Sequence, residues 1–579
     1  MEERQRLAEN LQFIYGEAAG QELLSKVESR IENRVSAMEN GAQRYDLSAE
    51  DIVLITYADQ FQEEGRAALK SLYDFCFDYL KDAFNTIHIL PFFPYSSDDG
   101  FSVIDYFEVN PQFGTWRDLH AMAKDFRLMV DGVFNHVSQA SSWFQSFLMG
   151  KEPYKDYFIK VASGTDLSKV VRPRALPLLT EFKTAEGAVC VWTTFSKDQV
   201  DLNFASPSLF LEIVDVLLFY VDQGAGIIRI DAVPFLWKEI GTDCIHRPQT
   251  HALVKALRAI LDMVAPDVLL ITESNVPFQD NIPYLGEALG ETNGTDEAQL
   301  VYQFSLAPLI LHTFLNGNAR KLSDWVASLP APHRYFNFIA SHDGIGLNPA
   351  LGILSPAEIE ALITTTHAHG GKLSYKKDTD GEDRVYELNI TLYDFLNDPD
   401  QPHTAIDIER YLASQVIMLA LAGVPGVYVH SLFGSRNCMH CFAEDGQARA
   451  VNREKFSFSR LREILSDPDA REAKVFERMR KMLMIRRTHP AFDPFAHQEV
   501  VQRDGRVFGL LRRDAKSGES ILCYTNVSKE NIRVDIPKRI FSEGKRLHDL
   551  LSDRELDLKV VEPRLEMQPY ENVWLCEKK

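Results

Sequence analysis

Residues 226–233 read GIIRIDAV, a short apolar run interrupted by two charges. Successive side chains of a strand point to opposite faces, so Arg229 and Asp231 share one face while Ile228 and Ile230 occupy the other. A carboxylate buried alone is costly or takes up a proton, whereas a cation on the same face favours its ionised form. The stretch therefore describes a buried strand ending in an aspartate that its neighbouring arginine keeps anionic. Taken alone it can also be read as a structural ion pair.

Working outward, seven more runs of similar length and β-branched composition appear: IVLITY (52–57), TIHILPFF (86–93), RLMVDGVF (127–134), VLLITES (268–274), VYQFS (301–305), YFNFIAS (335–341) and GVPGVYVH (423–430). Helix-like stretches at 64–82, 116–125, 206–223, 249–264, 355–368 and 406–422 separate most of them. Strand and helix alternating through eight repeats predict an α/β fold, a (β/α)8 TIM barrel. The spacing also predicts inserted subdomains and a C-terminal antiparallel β domain. The division is an N-terminal helical segment (1–47), a barrel in three parts (48–137, 206–350 and 406–492), insertions after strand three (138–205) and strand seven (351–405), and the β domain (493–579).

Hydrophobic content of 45% and charged content of 25% are those of a soluble globular protein. A formal net charge of −21 opposes nucleic acid and anionic membranes, so neither is an expected partner. MEERQRLAENLQFIYGEA at the start has no apolar signal-peptide core, and no stretch reaches membrane-spanning length, which predicts a cytoplasmic protein. The seven scattered cysteines do not form a disulfide framework, and reduced thiols are expected. Cys438 and Cys441 bracket a C-M-H-C run that lacks a second CxxC partner and is read as loop sequence.

In barrels of this kind chemistry sits at the carboxyl ends of strands. The polar residues there are Asp98 after strand two, Asp131, Asn135 and His136 at strand three, Arg229 and Asp231 at strand four, Glu273 at strand five, and His342 and Asp343 at strand seven. Two carboxylates flanking a glycosidic bond, one nucleophilic and one general acid, perform retaining glycosyl transfer through an oxocarbenium-like transition state. Asp231 beside Arg229 suits the nucleophile, and Glu273 in the apolar setting ITESN suits the acid. Asp343 would stabilise the developing cation, with His136 and His342 as neutral donors to the same ring.

DGVFNH, GIIRIDAV, ITES and ASHDG resemble, in order, the four conserved regions of the alpha-amylase superfamily. LPFFPYSSDDGFSVIDY, WTTFSKDQVDLN, SHDGIG and RAVNR narrow the resemblance to the sucrose phosphorylase group, whose members move a glucosyl unit between an acceptor alcohol and inorganic phosphate. VRPRALPLLT, WKEIGTDCIHRPQTH, VYQFSLAPL, SHDGIGLNP and LFGSRN are most similar to the glucosylglycerate phosphorylases within it.

The resemblance implies Asp231 as nucleophile, Glu273 as acid/base and Asp343 as transition-state stabiliser. It implies a glucosyl site of Asp98, His136, Arg229, His342 and Arg453, walled by Phe195 and Gln199. Two departures from the sucrose enzymes, Glu387 for a glutamine after Tyr386 and Phe235 for a tyrosine, point away from sucrose. Phosphate and glycerate are both anions, so the acceptor side needs guanidinium or imidazole donors to offset repulsion. Candidates are Arg172, Arg174, Lys238, His246, Arg247 and Arg384. Each is also readable as a solvated surface charge.

The expected partners are thus a glucosyl glycerate or related glucoside and inorganic phosphate, with no cofactor and no metal; the chain is expected to be a monomer or homodimer. Some amylases hold calcium near the residue matching Asn135, which these phosphorylases generally do without. Sucrose 6-phosphate, sucrose or glucosylglycerol as substrate, a retaining alpha-glucosidase or transglucosidase, and a non-catalytic amylase-like barrel remain alternatives.

Overall fold

The strand and helix signals resolve into a closed ring of eight parallel strands in the computed structural model, which describes residues 2–38, 44–290, 294–377, 382–400, 405–501, 504–537, 540–542, 545–557 and 564–578. The strands are β1 (Val53–Thr56), β2 (Thr86–Ile89), β3 (Arg127–Gly132), β4 (Ala225–Ile230), β5 (Leu269–Thr272), β6 (Leu300–Tyr302), β7 (Tyr335–Asn337) and β8 (Val424–Tyr428). Each pairs with its sequence neighbours, and β8 closes on β1. Nearly every residue of these strands is buried, because helices cover the outer face and side chains fill the inner one. All eight strands overlap the runs read from sequence, two of them, Ala225–Ile230 and Leu300–Tyr302, starting one residue earlier.

The covering helices include Ala68–Phe75, Trp116–Met122, Pro207–Asp222, Pro248–Val264, Ala405–Ala420 and Arg471–Arg487. Their starts follow local rules: Pro opens two of them, Ser206 caps its helix by accepting from the Leu209 amide, and Thr115 with Asp118 forms a capping box. After β5 come the short helical turns Phe278–Asn281 and Ile282–Leu285, whereas β6 is followed by two longer helices, Leu306–Asn316 and Arg320–Ser328. The barrel rim above β5 is therefore built by loop.

The N-terminal helices Glu2–Tyr15 and Glu17–Met38 bury Leu7, Leu11, Leu23, Leu24 and Val27 outside the barrel, where Arg6 pairs with Asp262 at 2.9 Å and Arg30 with Asp215 at 2.9 Å. After β3 the chain forms helix Ser142–Leu148, a small sheet of Lys160–Val161, Leu179–Thr184 and Gly187–Trp192, and the antiparallel pair His136–Ser138 with Gln199–Asp201. After β7 come Ile345–Gly346, helix Pro356–Ala368 and strands Lys372–Lys377 and Asp383–Asn389, joined in one sheet. A six-stranded antiparallel sheet from His497–Val500 to Asn572–Glu577 ends the chain; Arg512 ties it to the barrel by donating to the carbonyls of Ala420 and Asp493 at 2.9 and 2.6 Å. Parts of the segments divided from sequence, such as 39–43, 378–381 and 401–404, lie outside the described residues.

The cysteine expectation needs one correction. Cys76, Cys190, Cys244 and Cys523 are free thiols, but Cys438 and Cys441 are joined in a disulfide, and the run opens a short helix, Met439–Asp445, instead of lying in loop. One turn of chain sets their Cα atoms 5.3 Å apart, within bonding reach. Among the described residues no helix is long and apolar enough to cross a membrane.

Candidate active site

Strand register builds the centre of the site. Arg229 on β4 stands opposite Asp131 on β3, and Ile230 opposite Thr272 on β5, so the residues just beyond, Asp231 and Glu273, emerge side by side at the carboxyl rim. Arg229 is 1% exposed, touches Asp131 through Nη1, and donates to Asp231 Oδ1 at 2.8 Å; its Nη2 lies 3.9 Å from Glu273 Oε2. His88 on β2 meets the other oxygen of Asp131 at 2.7 Å. Burial alone would raise the Asp131 carboxyl, but Arg229 and His88 hold it below the ordinary value. The pair on GIIRIDAV is thus one edge of a four-stranded charge network.

Ala232 takes the left-handed conformation (φ 50°), an unusual state for a residue with a side chain. That twist turns its amide to donate to Glu273 Oε2 at 3.0 Å, linking the two candidate catalytic carboxyls through one peptide. Burial pushes Glu273 up to about 7, with Asp231 and Asp343 adding to the rise and the more distant Arg229 only partly opposing it. Burial also lifts Asp231, against Arg229 and His136, so the arginine does not depress it below the ordinary range as the sequence pattern suggests. The direct contact to Arg229 still makes Asp231 the first of the two to ionise.

Asp343 is the permanent anion. Burial works against its charge, yet Arg449 at Oδ1 (2.5 Å), then His342 and Arg453, hold it well below the usual carboxylate range. Burial keeps the His342 imidazole neutral; the ring stacks on Phe101 with centroids 4.9 Å apart. His136 accepts from the Asn135 amide at Nδ1 (3.1 Å), which leaves its Nε2 proton to donate to the Phe101 carbonyl at 2.9 Å. Arg453 donates to the His342 carbonyl at 2.8 Å and to Asp99 at 3.1 Å.

A cavity of about 500 Å³ opens on this centre. Asp231, Glu273 and Asp343 share it, together with Asp98, His136, Phe195, Gln199, His342 and Tyr386. Two carboxyls that act on one glycosidic bond must face one space, and Asp231 and Glu273 line the same cavity. Phe195 packs edge-on against Phe235, and Gln199 reaches Asp98 at 3.4 Å. Arg229 and Arg453 stand behind this wall as buried supports. Glu387 is fully buried; it accepts from Arg449 at 2.8 and 3.2 Å and from the Gly344 amide at 3.1 Å. A Cβ on Gly344 would fall 2.5 Å from Glu387 Cγ, so the SHDG glycine is required by this close approach.

Of the basic candidates, Arg172 and Arg174 line the cavity, and Arg174 touches the Tyr386 hydroxyl. Others do not gather there. Arg247 is turned to Glu239 at 2.8 Å, and His246 Nδ1 to the Tyr284 hydroxyl at 2.9 Å. Arg449, Lys376 and Lys377 line the cavity but were not singled out. Arg449 stands in RAVNR four residues before Arg453, and both lysines are in the Lys-rich insertion, so a charge in a recognised motif was the available signal.

Lys238 answers the calcium question. Its ammonium, on a side chain 2% exposed, sits 2.6 Å from Asp201 Oδ2 and 2.7 Å from Asn135 Oδ1, between the oxygens a divalent cation would need. The residues do not fit a metal there. Lys238→Met should lower stability by about 3–5 kcal/mol in urea unfolding, because Asp201 loses its buried partner. A chelator should leave the wild-type melting temperature unchanged; a chelator-induced drop would contradict this assignment.

Three acids from separate barrel strands converging on one sugar-sized cavity define a glycosyl-transferring enzyme. The family model "Alpha amylase, catalytic domain" matches residues 70–343. The glucosylglycerate phosphorylase of Allomeiothermus silvanus is 47% identical, covering 94% of this chain and 95% of that protein; that of Escherichia coli is 38% identical, covering 99% and 100%. The crystal structure of a sucrose 6F-phosphate phosphorylase from Thermoanaerobacter thermosaccharolyticum superposes with a TM-score of 0.73 at 26% identity, covering 90% of this chain and all of that one. The chain belongs to the glucosylglycerate phosphorylase family of the alpha-amylase superfamily.

Proposed function

We propose that the protein reversibly transfers an α-glucosyl unit between 2-O-(α-D-glucosyl)-D-glycerate and inorganic phosphate, giving α-D-glucose 1-phosphate and D-glycerate with retained configuration. One observation supports this above others: the cavity whose floor is three carboxyls is walled by cations, Arg172, Arg174, Lys376, Lys377 and Arg449. A neutral acceptor needs no such wall. Two anions, glycerate leaving and phosphate entering, need it to offset the acids beneath.

In the first half-reaction Asp231 attacks the anomeric carbon while Glu273 gives its proton to the departing glycerate oxygen, leaving a glucosyl ester on Asp231. Phosphate then occupies the vacated space, loses a proton to Glu273 and attacks the same carbon, expelling the Asp231 carboxylate. Asp343 faces the positive charge that builds on the ring, with His342 donating to its hydroxyls; His136, whose one proton goes to the Phe101 carbonyl, packs the wall of the site instead. A cytoplasmic setting, where phosphate is plentiful, and a monomer or homodimer are part of this reading.

Incubation of the pure protein with glucosylglycerate, with and without phosphate, tests it. Glucose 1-phosphate should form only with phosphate, and α-glucose 1-phosphate should release phosphate with D-glycerate in preference to glycerol, fructose or fructose 6-phosphate. Free glucose released at the same rate without phosphate would make it a glucosidase instead.

A further inference from the structure

Both guanidiniums that hold Asp343 and His342 in place, those of Arg449 and Arg453, sit on one loop, and the Cys438–Cys441 disulfide lies at its start. Upstream the loop is anchored: Asn437 donates to Asp394 at 2.8 Å and accepts from the Thr391 amide at 2.8 Å. Downstream the Cys438 amide donates to the Val451 carbonyl at 2.7 Å, on the turn Ala448–Asn452 that bears Arg449. Between these, helix Met439–Asp445 carries Phe442 beneath the Lys372 ammonium, 4.5 Å from the ring centroid, at the base of the strand that brings Lys376 and Lys377 to the cavity. The disulfide thus sits where both sources of cavity cations meet.

We propose that Cys438 and Cys441 form a reversible thiol–disulfide pair that sets the position of the Arg449 turn and so the affinity for the anionic acceptor. A bond closing a sequence separation of three removes little chain entropy and makes a poor structural staple. Its two sulfurs differ in the way exchange requires: Cys438 is buried, whereas Cys441 is partly exposed and open to attack. His440 places a ring nitrogen 3.4 Å from Cys438 Sγ and Nε2 3.8 Å from Cys441 Sγ, within reach to take a thiol proton. Starting from the dithiol, the Cys441 thiolate attacks a low-molecular-weight disulfide and expels one half as thiol. Cys438 then displaces the second half, so two protons and two electrons leave the protein and two small thiols are formed. Reduction reverses both steps. Two sulfurs and one imidazole fall one ligand short of a closed tetrahedral zinc site, which favours redox exchange over metal binding.

The test equilibrates the full-length protein and Cys441→Ser in small-thiol buffers of defined reduced-to-oxidised ratio, then reads thiol count, intact mass and KM for phosphate. The wild type should gain and lose two thiols reversibly, and its KM for phosphate should rise on reduction by about fivefold. Cys441→Ser should show the reduced-state KM in every buffer, with an unchanged far-ultraviolet spectrum. Equal KM in both wild-type states would overturn the proposal, as would reduced protein that binds zinc one-to-one and no longer re-forms the bond. If neither state turns over glucosylglycerate, the phosphorylase reading fails, while thiol count and mass still decide whether the pair exchanges.

Discussion

Asp231→Asn should lower turnover of glucosylglycerate by about 10⁴-fold or more, with the fold intact. The substitution keeps the shape of the side chain and removes the charge that would attack the sugar. Arg229 does not become an orphan cation, because Asp131 remains bonded to it across the β3–β4 register. Far-ultraviolet spectra and urea unfolding should therefore differ little from wild type. The charge itself can be made visible. With a reactive glucosyl donor and no phosphate, the wild-type peptide containing Asp231 should gain one glucosyl unit, and the same peptide of Asp231→Asn should not. Unaltered turnover in the variant would leave Asp231 as no more than a partner for Arg229, and the non-catalytic barrel would become the better description.

The second large effect is expected at Glu273, and here the pH dependence carries the test. Its carboxyl titrates at about 7, raised mainly by burial. In the proposed mechanism release of glycerate uses the protonated form, so kcat/KM for glucosylglycerate should be level below pH 7 and fall about tenfold per pH unit above it. A group with an ordinary glutamate value would have lost its proton well below that range. Glu273→Gln should abolish this limb and lower turnover by about 10²–10⁴-fold. The loss should be far smaller with α-glucosyl fluoride, whose leaving group needs no proton. A basic limb that persists in the variant, or equal losses with both donors, would assign the proton to another residue. Asp343 is no substitute, since Arg449 and its neighbours hold it ionised throughout.

The eight strands and the carboxylates that end them were legible in the chain because both are local properties. A buried parallel strand needs a short β-branched run, and a rim residue is whatever follows it. GIIRIDAV alone placed Arg229 and Asp231 on one face, since strand side chains alternate. The resemblance of a few motifs then added roles that periodicity does not contain.

What only the folded chain decided are the pairings across long sequence distances. Asp131 and Arg229 meet through strand register, Lys238 is spent on Asp201, and Arg449 spans Asp343 and Glu387. A Lys or Arg in a loop reads alike whether it faces solvent, an internal carboxylate or a cavity, because its long stem can lead to any of them. Which anion it reaches is set by how the β3 and β7 insertions pack over the rim, and so is how deeply each acid is buried. Burial in turn sets the height of the Glu273 pKa. The sequence therefore determined which acids could act, and tertiary packing determined which is charged and which cations face them.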